Sequence, residues 1–142
     1  MKTILFVCVE NSNRSQMAEA FARMHAPADV EVHSAGSRPS GKINPRAVEF
    51  MAERGYDLDA HRSKSTEEFH GKDISVAVTM GCGDECPLVH AARREERQIP
   101  DPKELPADDY RRVRDDIEVK VKTLPATLET GYEPAMAATP GS

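Results

Sequence analysis

Apolar runs alternate along this chain with stretches whose apolar residues recur at helical spacing. Ile4-Leu5-Phe6-Val7 is continuous and β-rich, as expected of a parallel strand buried on both faces. Met17, Ala18, Phe21 and Ala22 follow at helical spacing and predict a first helix. After the turn at Ala26-Pro27-Ala28-Asp29, Val30–Ala35 reads as a second strand ending at Gly36. Asn44-Pro45 is a helix start, a capping residue followed by one whose missing N–H is no loss in a first turn. Ala47, Val48, Met51 and Ala52 share that helix's inner face, and Gly55 stops it. Ser65 and Glu68 have capping-box spacing, which predicts a short helix near 66–70 before the break at Gly71. Ile74–Met80 reads as the third strand, and a short strand near Gln98-Ile99 leads into Pro100-Asp101-Pro102. Tyr110, Val113, Ile117, Val121 and Leu124 mark the inner face of a final helix, with Asp108 and Asp109 suited to its first turn.

Strands alternating with helices predict an α/β fold: an open, parallel, four-stranded sheet with helices on both faces. Ligands of such sheets gather at the carboxyl ends of the strands, near the topological switch point. Cys8 follows the first strand, Ser34 closes the second, Cys82 follows the third and Asp101 the fourth. The topology therefore predicts that these residues surround one crevice.

The segment Cys8-Val9-Glu10-Asn11-Ser12-Asn13-Arg14-Ser15 lies where strand gives way to helix, so its backbone N–H groups and the helix N-terminus converge on one point. Such a point attracts tetrahedral anions. A thiol there, beside Arg14, is expected to have a depressed pKa, in the range of ~3.5–7.5 in place of about 8.5. Arg14 brings a planar fork that takes two oxygens of an oxyanion at once. The side chains of Asn11, Ser12, Asn13 and Ser15 suit loop bracing or hydrogen bonds to the thiolate and a leaving group, whereas Glu10 is expected to point to solvent. The segment lacks the Gly-Lys-Ser/Thr of a nucleotide-binding loop. A bare Cys-x5-Arg equally fits a buried structural cysteine before an N-capped helix. The strand-to-helix context is what favours chemistry.

Composition narrows the class. The chain's 142 residues suit one compact domain, expected over residues 1–130, with the small, proline-bearing segment 131–142 as a flexible tail. Against 24 acids stand 19 lysines and arginines, a net charge of −5, so a general nucleic-acid surface is excluded and any anion site must be local. No apolar run approaches a membrane span and no signal-peptide pattern precedes the first strand, so a cytoplasmic protein is expected. Three cysteines in a reducing compartment read as reactive or metal-binding thiols before a disulfide framework.

Cys8-x5-Arg14-Ser15 after a buried strand, Ser34-Ala35-Gly36, Asn44-Pro45 and Asp101-Pro102 together resemble the low-molecular-weight protein tyrosine phosphatase family, whose fold is a flavodoxin-like sandwich. With Cys82 and Cys86 the chain is similar to the arsenate reductases built on that fold, which couple to thioredoxin through three cysteines. The resemblance covers Lys2 to about Leu124. It implies that Cys8 attacks arsenate, that the loop backbone from Val9 to Ser15 and the Arg14 fork bind the oxyanion, and that Asp101 protonates the departing oxygen. It further implies that Cys82 attacks arsenylated Cys8, releasing arsenite, and that Cys86 resolves the Cys8–Cys82 disulfide. Reducing equivalents would come from thioredoxin or a small thiol, with no tightly bound cofactor and with phosphate or sulfate as competing oxyanions; a monomer is expected. Asn11, Ser15, Glu19 and Ser34 would support the loop. Some members hold potassium there with Asn, Glu, Ser and Asp. Here Lys64 stands at the Asp position, so its ammonium would replace the ion and no metal is expected.

Other readings remain. A phosphatase would use Cys8, Arg14 and Asp101 and leave Cys82 and Cys86 idle, with phosphatase activity possible even in a reductase. Phosphatase members carry tyrosines near the Asp-Pro, and the nearest here, Tyr110, lies in the helix stripe. A small-thiol-dependent arsenate transferase would need only part of the relay. The spacing of Cys82 from Cys86 is shorter than in many thioredoxin-coupled members. A metal module built on Cys82, Cys86 and His90 would leave Cys8 and Arg14 unexplained. His33, His61 and His70 read as solvated or packing residues, and Asp101 between two prolines also fits a plain turn.

Overall fold

The computed structural model describes residues 2–80, 90–122 and 124. Four parallel strands, β1 (Lys2–Cys8), β2 (Val30–Gly36), β3 (Val76–Thr79) and β4 (Arg93–Glu96), lie in the order β2-β1-β3-β4. Among the described residues the α-helices are α1 (Arg14–His25), α2 (Pro45–Ala52) and α3 (Ala107–Val121). The chain leaves β1 for β2 on one side and returns to β3 on the other, so the topological switch point lies between β1 and β3. Cys8 ends β1 there.

Period-two alternation divides the sheet into two faces. Ile4, Phe6, Val32, Val76 and Val78 pack with Met17 and Phe21 of α1, Phe50 and Met51 of α2, and Tyr110 and Ile117 of α3. Leu5, Val7, Ala35 and Ala77 form a thinner layer with Ile74 and Phe69, the latter from a 3₁₀ turn at Thr66–Phe69. Ser65 caps that turn by accepting from the Glu67 N–H, as the capping-box spacing implied. Asn44 likewise accepts from the Arg46 N–H at the start of α2, with Pro45 in the first turn. A further 3₁₀ turn at Leu58–Ala60 has no signal in the apolar pattern.

Two expectations need correction. The fourth strand is Arg93–Glu96, ahead of the predicted Gln98-Ile99. Among the described residues β4 pairs only with β3, and at an edge four consecutive charged residues are tolerated because alternate side chains reach water. Ile99 is buried beyond the strand, where it serves the site. The third strand is also shorter than Ile74–Met80, spanning Val76–Thr79. Among the described residues, no helix is long and apolar enough to cross a membrane. Cys82, Cys86 and the expected tail lie outside the described residues.

Residues 15–22 of α1 are buried all the way round, including the polar Ser15, Gln16 and Glu19. A buried polar group must find partners: Ser15 and Gln16 find theirs in the loop that precedes α1, and Glu19 finds its own in Ser34, Arg23 and Lys64. The same loop presses on the end of β2. A Cβ built on Gly36 would stand 2.2 Å from the Val9 carbonyl oxygen and 2.8 Å from its carbon, so this position excludes every side chain. Gly36→Ala is expected to lower stability by about 1–3 kcal/mol, read from the urea midpoint, because backbone must shift to admit the methyl.

Candidate active site

The loop between β1 and α1 turns its carbonyls outward. Val9 O accepts from Arg38 N at 2.9 Å, Glu10 O from Ser40 N at 3.0 Å, and Ser12 O from Asn44 N at 2.9 Å. Asn11 O accepts from Gln16 Nε2 at 3.0 Å, and Asn13 O from Met17 N at 3.0 Å. A trans peptide points its C=O and the following N–H in opposite directions. Five outward carbonyls therefore direct the N–H groups of residues 10 to 14 toward the inside of the loop, above Cys8.

Asn11 makes this winding possible. Its φ is +51°, a left-handed conformation that Asn tolerates better than most residues. Its side chain is buried and fully engaged: Nδ2 donates to Ser15 Oγ and Ser34 Oγ, both at 2.9 Å, while Oδ1 accepts from Lys64 N at 2.7 Å and Gln16 Nε2 at 2.9 Å. The Ser34 hydroxyl in turn donates to Glu19 Oε1 at 2.6 Å. Glu19 also pairs with Arg23 at 2.8 Å and with the Lys64 ammonium at 3.6 Å. Asn11, Ser15, Glu19, Ser34 and Lys64 thus form one hydrogen-bonded and ion-paired cluster beneath the loop. Burial pushes the Lys64 pKa down, and Glu19 pulls it back up.

The apolar pattern missed the rest of that cluster. Gln16, fully buried, also donates to Arg62 O at 2.9 Å and offers Oε1 to His61 Nδ1 at 3.0 Å. His61 Nε2 lies 2.6 Å from the Tyr56 hydroxyl. Burial pushes the His61 pKa down, which favours a neutral ring with Nδ1–H on Gln16 and Nε2 accepting from Tyr56. His61 is therefore neither solvated nor a mere packing residue. The sequence signal was the mid-helix glutamine, a polar residue in the segment that the sheet covers.

A cavity of about 240 Å³ opens over residues 8–14 and is walled on its far side by Arg38, Asp101 and Lys103. A larger groove, about 400 Å³, runs past Phe69, His70 and His90 on the other sheet face and holds none of these groups. Arg14 reaches across the switch point. Its Nη1 donates to Met80 O at 2.9 Å and to Ile99 O at 2.8 Å. One nitrogen so anchored leaves Nε and Nη2, a two-donor edge, for an oxyanion. Asp101 forms the anticipated turn, its Oδ1 accepting from Lys103 N at 3.1 Å, and lines the cavity as well. Glu10 is exposed as expected, though it stands at the cavity rim. Arg38 and Lys103 carried no motif and were not anticipated. Tyr110 is fully buried on the inner face of α3, and its hydroxyl donates to Asn13 Oδ1, so it offers no ring to a ligand. Among the described residues no group of three His, Cys, Asp or Glu is arranged to hold a metal ion.

The expected low thiol pKa is not what the geometry produces. Burial dominates and pushes the Cys8 thiol up, against the downward pull of the Arg14 charge and the Val9 N–H; Asp101 and Glu10 add to the rise. Arg14 and the Val9 N–H favour the thiolate, and the depth of Cys8 at the carboxyl end of the interior strand β1 outweighs them.

A family model for low-molecular-weight phosphotyrosine protein phosphatase matches residues 3–133. An arsenate reductase of Staphylococcus aureus is 38% identical over 127 residues, spanning 87% of this chain and 95% of that protein. A solved arsenate reductase in a phosphate-binding state superposes with a TM-score of 0.80 at 35% identity, over 89% of this chain and 98% of that one. A thioredoxin-dependent arsenate reductase of Corynebacterium glutamicum superposes with a TM-score of 0.73 at 28% identity, over 93% of this chain and 64% of that one.

Iodoacetamide labelling of Cys8 across a pH series is expected to give a midpoint above that of an ordinary thiol, and Arg14→Gln should move it higher still by removing the nearest positive charge. Lys64→Met should lower stability by about 1–3 kcal/mol in urea unfolding, because buried Glu19 loses one of its partners.

Proposed function

We propose, since the chain belongs to the low-molecular-weight phosphotyrosine protein phosphatase family, that it reduces arsenate to arsenite by a thiol relay running from Cys8 through Cys82 to Cys86. The observation that carries this reading is the cradle itself: a cysteine beneath five inward N–H groups, with the Arg14 edge beside it, in a chain similar to arsenate reductases over most of its length.

The cradle fits a tetrahedral dianion. Oxygens of the anion meet backbone N–H groups and the free edge of Arg14, whose other nitrogen is already tied to the carbonyls of Met80 and Ile99. Cys8, held protonated by burial, gives up its proton as its sulfur bonds to arsenic. Asp101 delivers a proton to the departing hydroxyl, which leaves as water, and takes up the proton that Cys8 releases, so the step consumes no further proton. The product is a covalent Cys8–arsenic(V) ester, the nucleophilic intermediate that divides the reaction into easier steps.

The Cys82 thiolate then attacks the sulfur of Cys8. The sulfur–arsenic bond breaks with its electron pair going to arsenic, so arsenic(V) becomes arsenic(III) and departs as arsenite while a Cys8–Cys82 disulfide forms. Cys86 attacks the sulfur of Cys82, freeing Cys8 and leaving a Cys82–Cys86 disulfide. A thioredoxin dithiol supplies the two electrons that return both cysteines to thiols, as the thioredoxin-dependent relative supports. In this reading residues 1–130 act as one domain, a monomer in the cytoplasm, with phosphate and sulfate as competing anions.

A phosphatase reading uses the same cradle and is favoured by the family's name. Against it stands Tyr110, which is bound internally and offers no aromatic wall for an aryl phosphoester.

Arsenate should drive NADPH oxidation in the presence of thioredoxin and thioredoxin reductase, with aryl phosphate hydrolysis slow by comparison. Asp101→Asn should reduce turnover by roughly 10²–10⁴-fold. After one equivalent of arsenate without reductant, peptide mapping should find Cys82–Cys86 in the intact protein and Cys8–Cys82 in Cys86→Ser. Full multiple-turnover activity in Cys86→Ser would exclude the relay.

A further inference from the structure

Asn13 occupies the N-cap position of α1 yet does not cap it. An asparagine there ordinarily accepts from an N–H of the first turn. Here φ is −136° and ψ is −89°, and no side-chain cap bond forms. The amide is instead turned away: Oδ1 accepts from the hydroxyl of Tyr110, a fully buried residue on α3. Nδ2, on the opposite side of the same amide, is buried and has no acceptor among the described residues. Asn13 is 7% exposed and lines the cavity over Cys8.

A buried, unmet N–H donor costs stability unless something else satisfies it. Asn13 could have satisfied Oδ1 locally by capping, and left Nδ2 to water, as exposed caps do. The Tyr110 bond prevents that, its hydroxyl donating to Oδ1. The reverse orientation would place an amide oxygen beside an anion site, with its lone pairs facing negative charge. The uncapped helix start also leaves the first-turn N–H groups of α1 directed at the same cavity.

We infer that the Asn13 side chain is a dedicated donor to the bound oxyanion, held in register by Tyr110. This rests on the oxyanion-site reading above and adds to it a side-chain contact distinct from the loop backbone and Arg14. It also gives Tyr110 a positioning role: the α3 hydroxyl orients the amide without touching the anion. A tetrahedral dianion with four oxygens has enough acceptors for the Arg14 edge, the loop N–H groups and this amide together.

The probe is inorganic phosphate, and the readout is its protection of Cys8 from iodoacetamide, which yields a dissociation constant without any turnover. Asn13→Ala should weaken phosphate protection by about 10–100-fold, the range for one hydrogen bond to a charged group. Tyr110→Phe keeps Nδ2 but releases the amide from its register, and should weaken protection measurably yet by a smaller factor than Asn13→Ala, while lowering thermal stability by orphaning Oδ1. Far-UV circular dichroism and the labelling rate without phosphate report whether each variant is folded; if Asn13→Ala is not, Asn13→Ser, which restores a capping hydroxyl and lacks the reach of the amide, is read in its place. Protection unchanged in the Asn13 variant would overturn the proposal. Equal losses in the Asn13 and Tyr110 variants would also overturn it, since a mere brace between α3 and the loop predicts that result. If phosphate fails to protect Cys8 in the wild-type chain, the oxyanion-site reading itself falls, and the proposal with it.

Discussion

The site depends on the outward pull on the loop carbonyls. Backbone N–H groups of the segment from Arg38 to Asn44 take three of them, and the Gln16 side chain and the first turn of α1 take the other two. Because a peptide is rigid and trans, holding one side of each plane aims the other. Convergence of N–H groups over Cys8 is therefore a property of what lies behind the loop. The buried cluster of Asn11, Gln16, Glu19, Ser34 and Lys64 serves the same end, keeping Asn11 in its left-handed conformation.

That arrangement explains the opposing demands on Cys8. A site that excludes water strengthens every charge and dipole aimed at an anion, and the same exclusion raises the cost of ionising the thiol alone. The Arg14 charge and the Val9 N–H reduce that cost without cancelling it. In the proposed reaction, proton and substrate charge are thus coupled: the thiol would lose its proton in the step that bonds it to the incoming anion's central atom.

Much of this was legible in the sequence. The β1 run, the helix starts at Asn44-Pro45 and Ser65, and the apolar stripe from Tyr110 to Val121 carry periodicities that short-range physics enforces. Cys8, Arg14 and Asp101 meet because parallel topology brings strand ends together. β4 was misplaced because an edge strand of Arg and Glu has no apolar signature, its pairing being decided by the neighbour β3. His61, Gln16 and Tyr110 were illegible for a different reason. Their roles arise from contacts between residues 45 and 97 positions apart, and no local pattern records such a contact. The thiol pKa was misjudged because a spacing rule reports neighbours and says nothing of depth.

The ties from Arg38, Ser40 and Asn44 to the loop are made by main-chain N–H groups. A main-chain donor is indifferent to the side chain it carries, with one exception: proline has none. Pro39 falls between two of these donors, at a position that owes the loop nothing. What this stretch must preserve is therefore its spacing. Divergent sequences can maintain the same cradle across it by point substitution, while a one-residue insertion or deletion would shift the donors out of step with the carbonyls they hold.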